Sequence, residues 1–216
     1  MKSERSALFI SDLHLSESRS DIVTAFYFFL EKIAPKADAL YILGDLFDFW
    51  AGDDIRTPIT EGVAERLISL KRLGVELYFQ HGNRDFALGK RYAKEAGLRI
   101  TPPFYMPEAY PNLLLLHGDE LCSDDRAYQR YKRVIRNPLI LALLRTLPKS
   151  YRLKLAARIR HKSQMRGGNK IVDVNELSVR RLFERKKRAI MIHGHTHRAA
   201  MHYYPYGCRY VLSDWD

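Results

Sequence analysis

Five short fragments hold the residues with the most chemistry to offer: Asp12-Leu13-His14, Gly44-Asp45-Leu46-Phe47-Asp48, Gly82-Asn83-Arg84-Asp85, His117-Gly118-Asp119 and Gly194-His195-Thr196-His197. Asp, Asn and His together form a hard-to-intermediate donor set suited to Mn²⁺, Fe²⁺, Co²⁺ or Zn²⁺. No cysteine lies in any of them, which argues against a structural zinc site. One residue separates Asp12 from His14, a spacing that sets both side chains on one face of an extended segment, and His195 and His197 repeat it. Asp45, with two carboxylate oxygens, can bridge two cations, and Asn83 and His117 then complete the second. Each fragment alone is weak, because Asp-x-His arises often by accident. Together, in order, they point to a two-metal centre that activates water against a phosphoester.

Each fragment directly follows a short apolar run: 7–10, 39–43, 75–79, 113–116 and 189–192. Such runs suit buried strands, and ligands of open α/β sheets gather outside the carboxyl ends of the strands. Helical spacing of apolar residues predicts helices over 22–33, ending before Pro35, over 59–73, between Pro58 and Gly74, and over 88–96, ending at Gly97. This β-α-β rhythm implies an α/β layered fold. It breaks after His117. From Asp124 to about His161 only helical patterns remain, interrupted at Pro138 and Pro148; 164–170 reads as a glycine-containing loop and 172–187 as another helix. The expected organisation is a core of 1–123 and 171–216 with a helical insertion at 124–170.

At 216 residues the chain can bury a full core, and its 46% hydrophobic and 12% aromatic content are those of an ordinary globular protein. The apolar stretch after Met1-Lys2-Ser3-Glu4-Arg5 is too short for a secretory leader, and no run approaches the roughly 18 apolar residues that span a bilayer. Cys122 and Cys208 make no disulfide framework, so a reduced, cytoplasmic setting is expected. The net charge of +11 is uneven: 126–188 holds 20 of the 36 Lys and Arg but 3 of the 25 Asp and Glu, giving that segment +17 and the remainder −6. An anionic partner follows. Asp48, Asp85 and Asp119 are expected to orient ligands rather than bind metal, and His81, His161, His193 and His202 to be structural or surface residues.

The order of the fragments resembles that of the calcineurin-like metallophosphoesterases over nearly the whole chain. The resemblance implies an αββα sandwich of two mixed sheets with a helical lid insertion. It also implies one metal on Asp12, His14, Asp45 and His197 and another on Asp45, Asn83, His117 and His195, about 3.5–4 Å apart. One position departs from many relatives, which carry His after Gly-Asn to protonate an alkoxide. Here that residue is Arg84, whose guanidinium is not deprotonated in proteins and so cannot act as an acid. A leaving group that is already a stable anion needs no acid, and a phosphate monoester is one. That favours cleavage of a pyrophosphate, with Arg84 gripping a phosphate.

Here the likeness narrows. His81-Gly82-Asn83-Arg84-Asp85-Phe86, His117-Gly118-Asp119 with Asp124-Asp125 after it, Asp173-Val174-Asn175 and Ile192 to Arg198 resemble the UDP-2,3-diacylglucosamine pyrophosphohydrolases of lipid A synthesis. The resemblance implies two Mn²⁺, release of UMP and 2,3-diacylglucosamine 1-phosphate, and catalytic roles for Asp45, Asn83, Arg84 and His195. It implies substrate contacts at Asn83, Arg84, Asp125, Tyr128, Ser163, Gly167, Lys170 and His195, the lid asparagine of the family falling here on Gly167 or Asn169. Members of that family continue beyond a strand expected at Leu212–Trp215, whereas this sequence stops at Asp216. Leu139, Ile140, Leu141, Leu143 and Leu144 can line an acyl pocket or serve as core of a helical cap. The Lys and Arg of 145–160 can face anionic lipid headgroups, each adding about 1 kcal/mol near the surface. A monomer at the cytoplasmic face of the inner membrane, attached peripherally and without a nucleic-acid partner, is expected. The competing readings are a nuclease that uses the basic segment as its groove and a metal-stabilised module without activity.

Overall fold

Apolar runs separated by helices are what a parallel sheet requires, because each crossover must bring the chain back to the same edge. The computed structural model describes residues 5–167 and 172–215, with side chains given as far as 159 in the first span. Strands β1 (Ala7–Ile10), β2 (Ala39–Ile42), β3 (Glu76–Phe79) and β4 (Arg99–Ile100) form one sheet in that order, every pair parallel. The crossovers are α1 (Ser20–Phe28), α2 (Pro58–Arg72) and α3 (Lys90–Glu95). The helix expected to end before Pro35 does so by unwinding, through a π-type turn at Phe29–Ile33 and a 3-10 turn at Ala34–Lys36. At the start of α2, Thr57 and Thr60 cap one another reciprocally with Pro58 at the first helical position, an arrangement that satisfies two end amides.

The second sheet contains β5 (Leu113–Leu115), β6 (Ile190–His193), β7 (Ala200–Tyr204) and β8 (Gly207–Val211), in spatial order β5-β6-β8-β7. Its first three neighbours run parallel and β7 turns back antiparallel on β8. Only this sheet is therefore mixed. The first is parallel because none of its strands is joined to a neighbour by a hairpin. The strand expected over Leu212–Trp215 is not formed. The last strand is β8, and Trp215 instead packs edge-on against Phe26 and Phe29. Bulky apolar residues read as strand when they fill a core from a loop.

Buried Tyr41, Leu43, Tyr78, Leu113 and Leu115 fill the space between the sheets. Helices α1 to α3 cover the outer face of the first sheet over Leu40, Ile42, Leu77 and Phe79. Between β5 and β6 the chain forms α4 (Arg126–Ile135), α5 (Pro138–Thr146), α6 (Lys149–Gly167) and α7 (Glu176–Lys186). Helix α7 buries Val179, Leu182 and Phe183 against the outer face of the second sheet, which completes four layers, αββα. No residue of α4 or α5 is buried, so the leucines of 139–144 are not core: Leu139 and Leu143 are 79% and 65% exposed. The segment 164–170, read as a loop, is helical as far as Gly167, since helix-forming Lys, Gln, Met and Arg precede its glycines. No helix among the described residues is long and apolar enough to cross a membrane.

Candidate metal centre

The loops leaving β1 and β2 stay zipped together beyond the strands: Asp12 N donates to Gly44 O at 3.1 Å and His14 N to Asp45 O at 2.9 Å. The loops after β5 and β6 do the same, with Gly194 N donating to His117 O at 2.9 Å. Asp12, His14, Asp45, Asn83, His117, His195 and His197 thus converge at the carboxyl ends of β1, β2, β3, β5 and β6, on both sheets. The convergence does not rest on extended backbone. Asp12, His14, Asp45, His195 and His197 have φ between 50° and 69°, and the one other non-glycine residue with positive φ among the described residues is Lys187. The face-sharing argument for Asp-x-His and His-x-His therefore fails: left-handed turns, not strands, aim these side chains. Such conformations cost of order 1–2 kcal/mol each and collect at functional sites.

Each acid has one oxygen fixed and one turned inward. Asp12 Oδ2 accepts from His195 N at 2.8 Å, and Asp45 Oδ1 accepts from Arg84 N at 2.8 Å. The opposite oxygens face the imidazoles: Asp12 Oδ1 lies 3.5 Å from His197 Nε2, and Asp45 Oδ2 lies 3.9 Å from both His14 Nδ1 and His117 Nε2. Asn83 Oδ1 lies 3.1 Å from His117 Nε2 and 2.9 Å from His195 Nδ1, and His14 Nε2 is 3.4 Å from His197 Nε2. Asp12, His14 and His197, and again Asp12, Asp45 and His117, bring donor atoms within 4.8 Å of one another.

Two glycines make this approach possible. A Cβ on Gly82 would stand 2.0 Å from Asp45 Oδ1, and one on Gly194 would stand 2.1 Å from Asp12 Oδ2.

The donor set fits divalent cations. Asp12 Oδ1 and His14 Nδ1 are buried and accept or donate no hydrogen bond among the described residues, a costly state unless a cation completes them. Burial pushes the His14 and His195 imidazoles down to about 3, which leaves them neutral and available as ligands. Burial also pushes the Asp45 carboxyl up to about 7, with Asp85 and Asp12 adding to it and His117 opposing. His117 moves the other way: burial opposes its charge, but Asp45, Asp12, Asp119 and Glu120 outweigh it and hold the ring at about 9. A pocket crowded with acids and answered by the imidazolium of His117 is one short of positive charge.

The remaining expected residues have mixed fates. Tyr128 is at the site, its ring stacked on His195 at 6.3 Å and its hydroxyl donating to Asp119 at 2.5 Å. Asp125 caps α4 by accepting from Tyr128 N at 2.8 Å. Arg84 makes no ion pair among the described residues, and its charge helps hold His14 neutral. Asp85 instead accepts from Gly82 N and Leu46 N, at 2.9 and 2.8 Å, and so ties two ligand loops together. The side chains of Ser163 and Gly167, and Lys170 and His161, fall outside the described side chains. His193 is buried and structural, pressed between Gly194 O and the buried Arg209. Cys122 is buried, and burial pushes its thiol up to about 12.

Sequence reasoning missed Asp214. Its Oδ2 lies 2.9 Å from His197 Nδ1, the carboxylate–imidazole pairing that orients a metal-ligating histidine. A single acid 17 residues further along offers no local signal.

The calcineurin-like phosphoesterase family matches residues 6–199, which spans the whole ligand set. The chain belongs to that family. A protein of Tolumonas auensis named UDP-2,3-diacylglucosamine hydrolase is 48% identical to this phosphoesterase over 97% of the chain and 89% of its own length. One of the same name from Actinobacillus succinogenes is 48% identical over 96% and 90%. Among solved structures, a dimetal phosphatase of Danio rerio aligns over 98% of the chain and 88% of its own, with a TM-score of 0.50 at 11% identity, a likeness of fold alone. As a metallophosphoesterase the chain is a hydrolase that works with divalent metal.

Proposed function

We propose that this phosphoesterase hydrolyses the pyrophosphate bond of UDP-2,3-diacylglucosamine, releasing UMP and 2,3-diacylglucosamine 1-phosphate, with two Mn²⁺. The supporting observation is Arg84, carried with Asn83 on one loop beside the ligand cluster and with no acid to neutralise it among the described residues. The similarity to relatives named for this substrate points the same way. Asp12, His14, Asp45 and His197 would hold one cation and Asp45, Asn83, His117 and His195 the other. Bound there, divalent cations supply a nucleophilic water near neutral pH and offset charge on the phosphoryl oxygens.

The chain's own residues do the rest. Arg84 and Asn83 orient the diphosphate, Arg84 by charge and a planar fork of donors. His195, held neutral by burial, is free to accept rather than repel. The departing sugar phosphate is an anion already, so no acid is required at position 84.

Helices α4 to α6 form the lid in this reading. Tyr128 is its inward contact, with Asp125, Ser163, Gly167 and Lys170 as further contacts to substrate. Its exposed Val134, Leu139 and Leu143 stand among Lys and Arg, a surface suited to acyl chains and anionic headgroups. Peripheral attachment to the cytoplasmic face of the inner membrane follows from it. Tyr131 and Tyr151 are exposed on the same helices, as stacking in a nucleic-acid groove would require, but the exposed Leu139 and Leu143 are more apolar surface than such a groove needs.

The test is UMP release from the diacylated sugar nucleotide with and without Mn²⁺, beside single-stranded DNA. Metal-dependent UMP release is expected, and cleavage of DNA alone would refute the lipid reading. Flotation with anionic vesicles, lost as salt is raised, is the expected sign of attachment.

A further inference from the structure

Helix α4 is joined to the metal centre by one of its faces. Tyr128 and Lys132 of α4 and Arg136, which caps its C-terminal end, are spaced four residues apart and so line one side of the helix. All three reach Asp119, which is fully buried. The Tyr128 hydroxyl donates to Asp119 Oδ2, Lys132 Nζ sits 2.8 Å from both Asp119 Oδ1 and Glu120 Oε1, and Arg136 Nη2 donates to Asp119 Oδ2 at 3.0 Å. Burial works against the Asp119 charge, yet Arg136, His117 and Lys132 hold it ionised well below the usual carboxylate range. Asp119, expected to orient a metal ligand, is the hub on which this helix is fastened.

Arg136 makes one bond that the other two do not. Its Nη2 also donates to the carbonyl of Gly82 at 2.8 Å. Gly82 precedes Asn83 and Arg84 and packs directly on Asp45. The core holds this loop through Asp85 on Gly82 N, through Asp45 on Arg84 N, and through Trp50 N on Arg84 O at 3.1 Å. Among the described residues, Arg136 is the one side chain of α4 to α6 that bonds the loop. At the far end of these helices, Arg152 is fastened elsewhere: it is buried, pairs with both oxygens of Asp54 and donates to Ala51 O at 2.7 Å.

We propose that Arg136 is a positioning residue, acting through the Gly82 carbonyl and Asp119 to set the Asn83 carboxamide and the Arg84 backbone. The inserted helix is thereby a condition of an ordered Asn83–Arg84 loop and not only a cover over it. The proposal uses the functional reading above in one respect, that Asn83 and Arg84 act on the substrate.

The experiment compares R136Q, R136K and R152Q with the parent protein, all loaded with Mn²⁺. Amide hydrogen exchange is read over the peptide containing 82–85, and kcat and KM for UMP release are measured in parallel. R136Q should expose 82–85 to exchange and lower kcat by roughly 10- to 100-fold, the range seen when outer partners of a metal site are lost, with little change in KM. R136K, which keeps the charge opposite Asp119, should fold and recover part of both effects. R152Q should leave exchange at 82–85 at the parent level, because its contacts lie on another loop. Parent-level exchange at 82–85 in R136Q, or in R136K should R136Q fail to fold, overturns the proposal. So does equal exposure of 82–85 in R152Q, which would mean that any loosening of the helices suffices. If the parent protein releases no UMP, the substrate reading fails while the exchange comparison still decides the role of Arg136.

Discussion

Replacing Asp214 with alanine should weaken one metal position and spare the other. Asp214 touches the candidate ligands through a single contact, Oδ2 to His197 Nδ1 at 2.9 Å, and it leaves His117, Asn83 and His195 alone. That contact does two things. It fixes the ring so that Nε2 points to Asp12 Oδ1 and His14, and it raises the basicity of the ring. Burial opposes a charge on His197, but Asp12 and Asp214 together hold the imidazole above its ordinary value. Loss of such an outer partner typically costs 10–100-fold in metal affinity, or about 1.4–2.7 kcal/mol. An Mn²⁺ titration followed by calorimetry at neutral pH should therefore split into two steps in D214A, with the weaker one displaced by that amount. D214N, which keeps an acceptor without the charge, should fall between. The pH dependence supplies an independent sign. Protons compete with the metal for His197, and the parent's raised pKa places that competition above the ordinary histidine range. Without Asp214 the pKa falls, so the acid limb of metal binding must move to lower pH even as affinity at neutral pH declines. A D214A protein that binds both ions with parental affinity, or whose acid limb moves upward, would refute this account of His197.

Two further outcomes follow from the site. Chelation should lower the melting temperature: at metal 100-fold above Kd the linked stability is about 2.7 kcal/mol, or roughly 5–10 °C for a chain of this size, and calorimetry with and without chelator measures it; an unchanged midpoint would mean the cluster binds no ion. Asp119 should steepen acid unfolding. Its folded pKa is depressed, so its contribution is complete above the unfolded value and lost as pH falls below it; D119N should show a stability slope shallower by up to about 1.4 kcal/mol per pH unit below about pH 3.9, read from urea unfolding of metal-free protein, and equal slopes would count against the clamp.

How much of this was legible in the sequence depended on whether a signal was local. The five apolar runs became β1, β2, β3, β5 and β6 within a residue or so, and each delivers its ligand from its carboxyl end. Two-residue β4 has no room for a pattern. In β7, Met201 and Tyr203 are exposed while His202 and Tyr204 are half-buried, so its alternation is inverted with respect to hydropathy. Trp215 has the composition of a strand but the job of a core plug. Asp214, Arg136 and Arg152 matter through partners that are 17, 54 and 98 residues away, and nothing in their own neighbourhoods distinguishes them from other surface charges. The residue types of the site were readable, because metal chemistry restricts them. The second tier that holds those residues is generic in composition and specific only in space.

The strained ligands show why that second tier must be extensive. Five left-handed non-glycine residues at about 1–2 kcal/mol each amount to roughly 5–10 kcal/mol, comparable with the whole stability of an ordinary domain, about 5–15 kcal/mol. No such cluster survives in isolated loops. Here four of the five are held by something rigid: Asp12 and His14 by the Gly44 and Asp45 carbonyls, Asp45 by the Arg84 amide, and His195 by the Asp12 carboxylate. His197 is the exception, held in the described structure by its ring contacts to Asp12 and Asp214 rather than by a bond to its own backbone amide. Its side chain is also the most exposed of the strained histidines whose exposure is resolved, 25% against 12% for His14. The strain at His197 therefore has the weakest restraint in the cluster, which makes Asp214 the point where removing one half-buried carboxylate should loosen a ligand without disturbing either sheet.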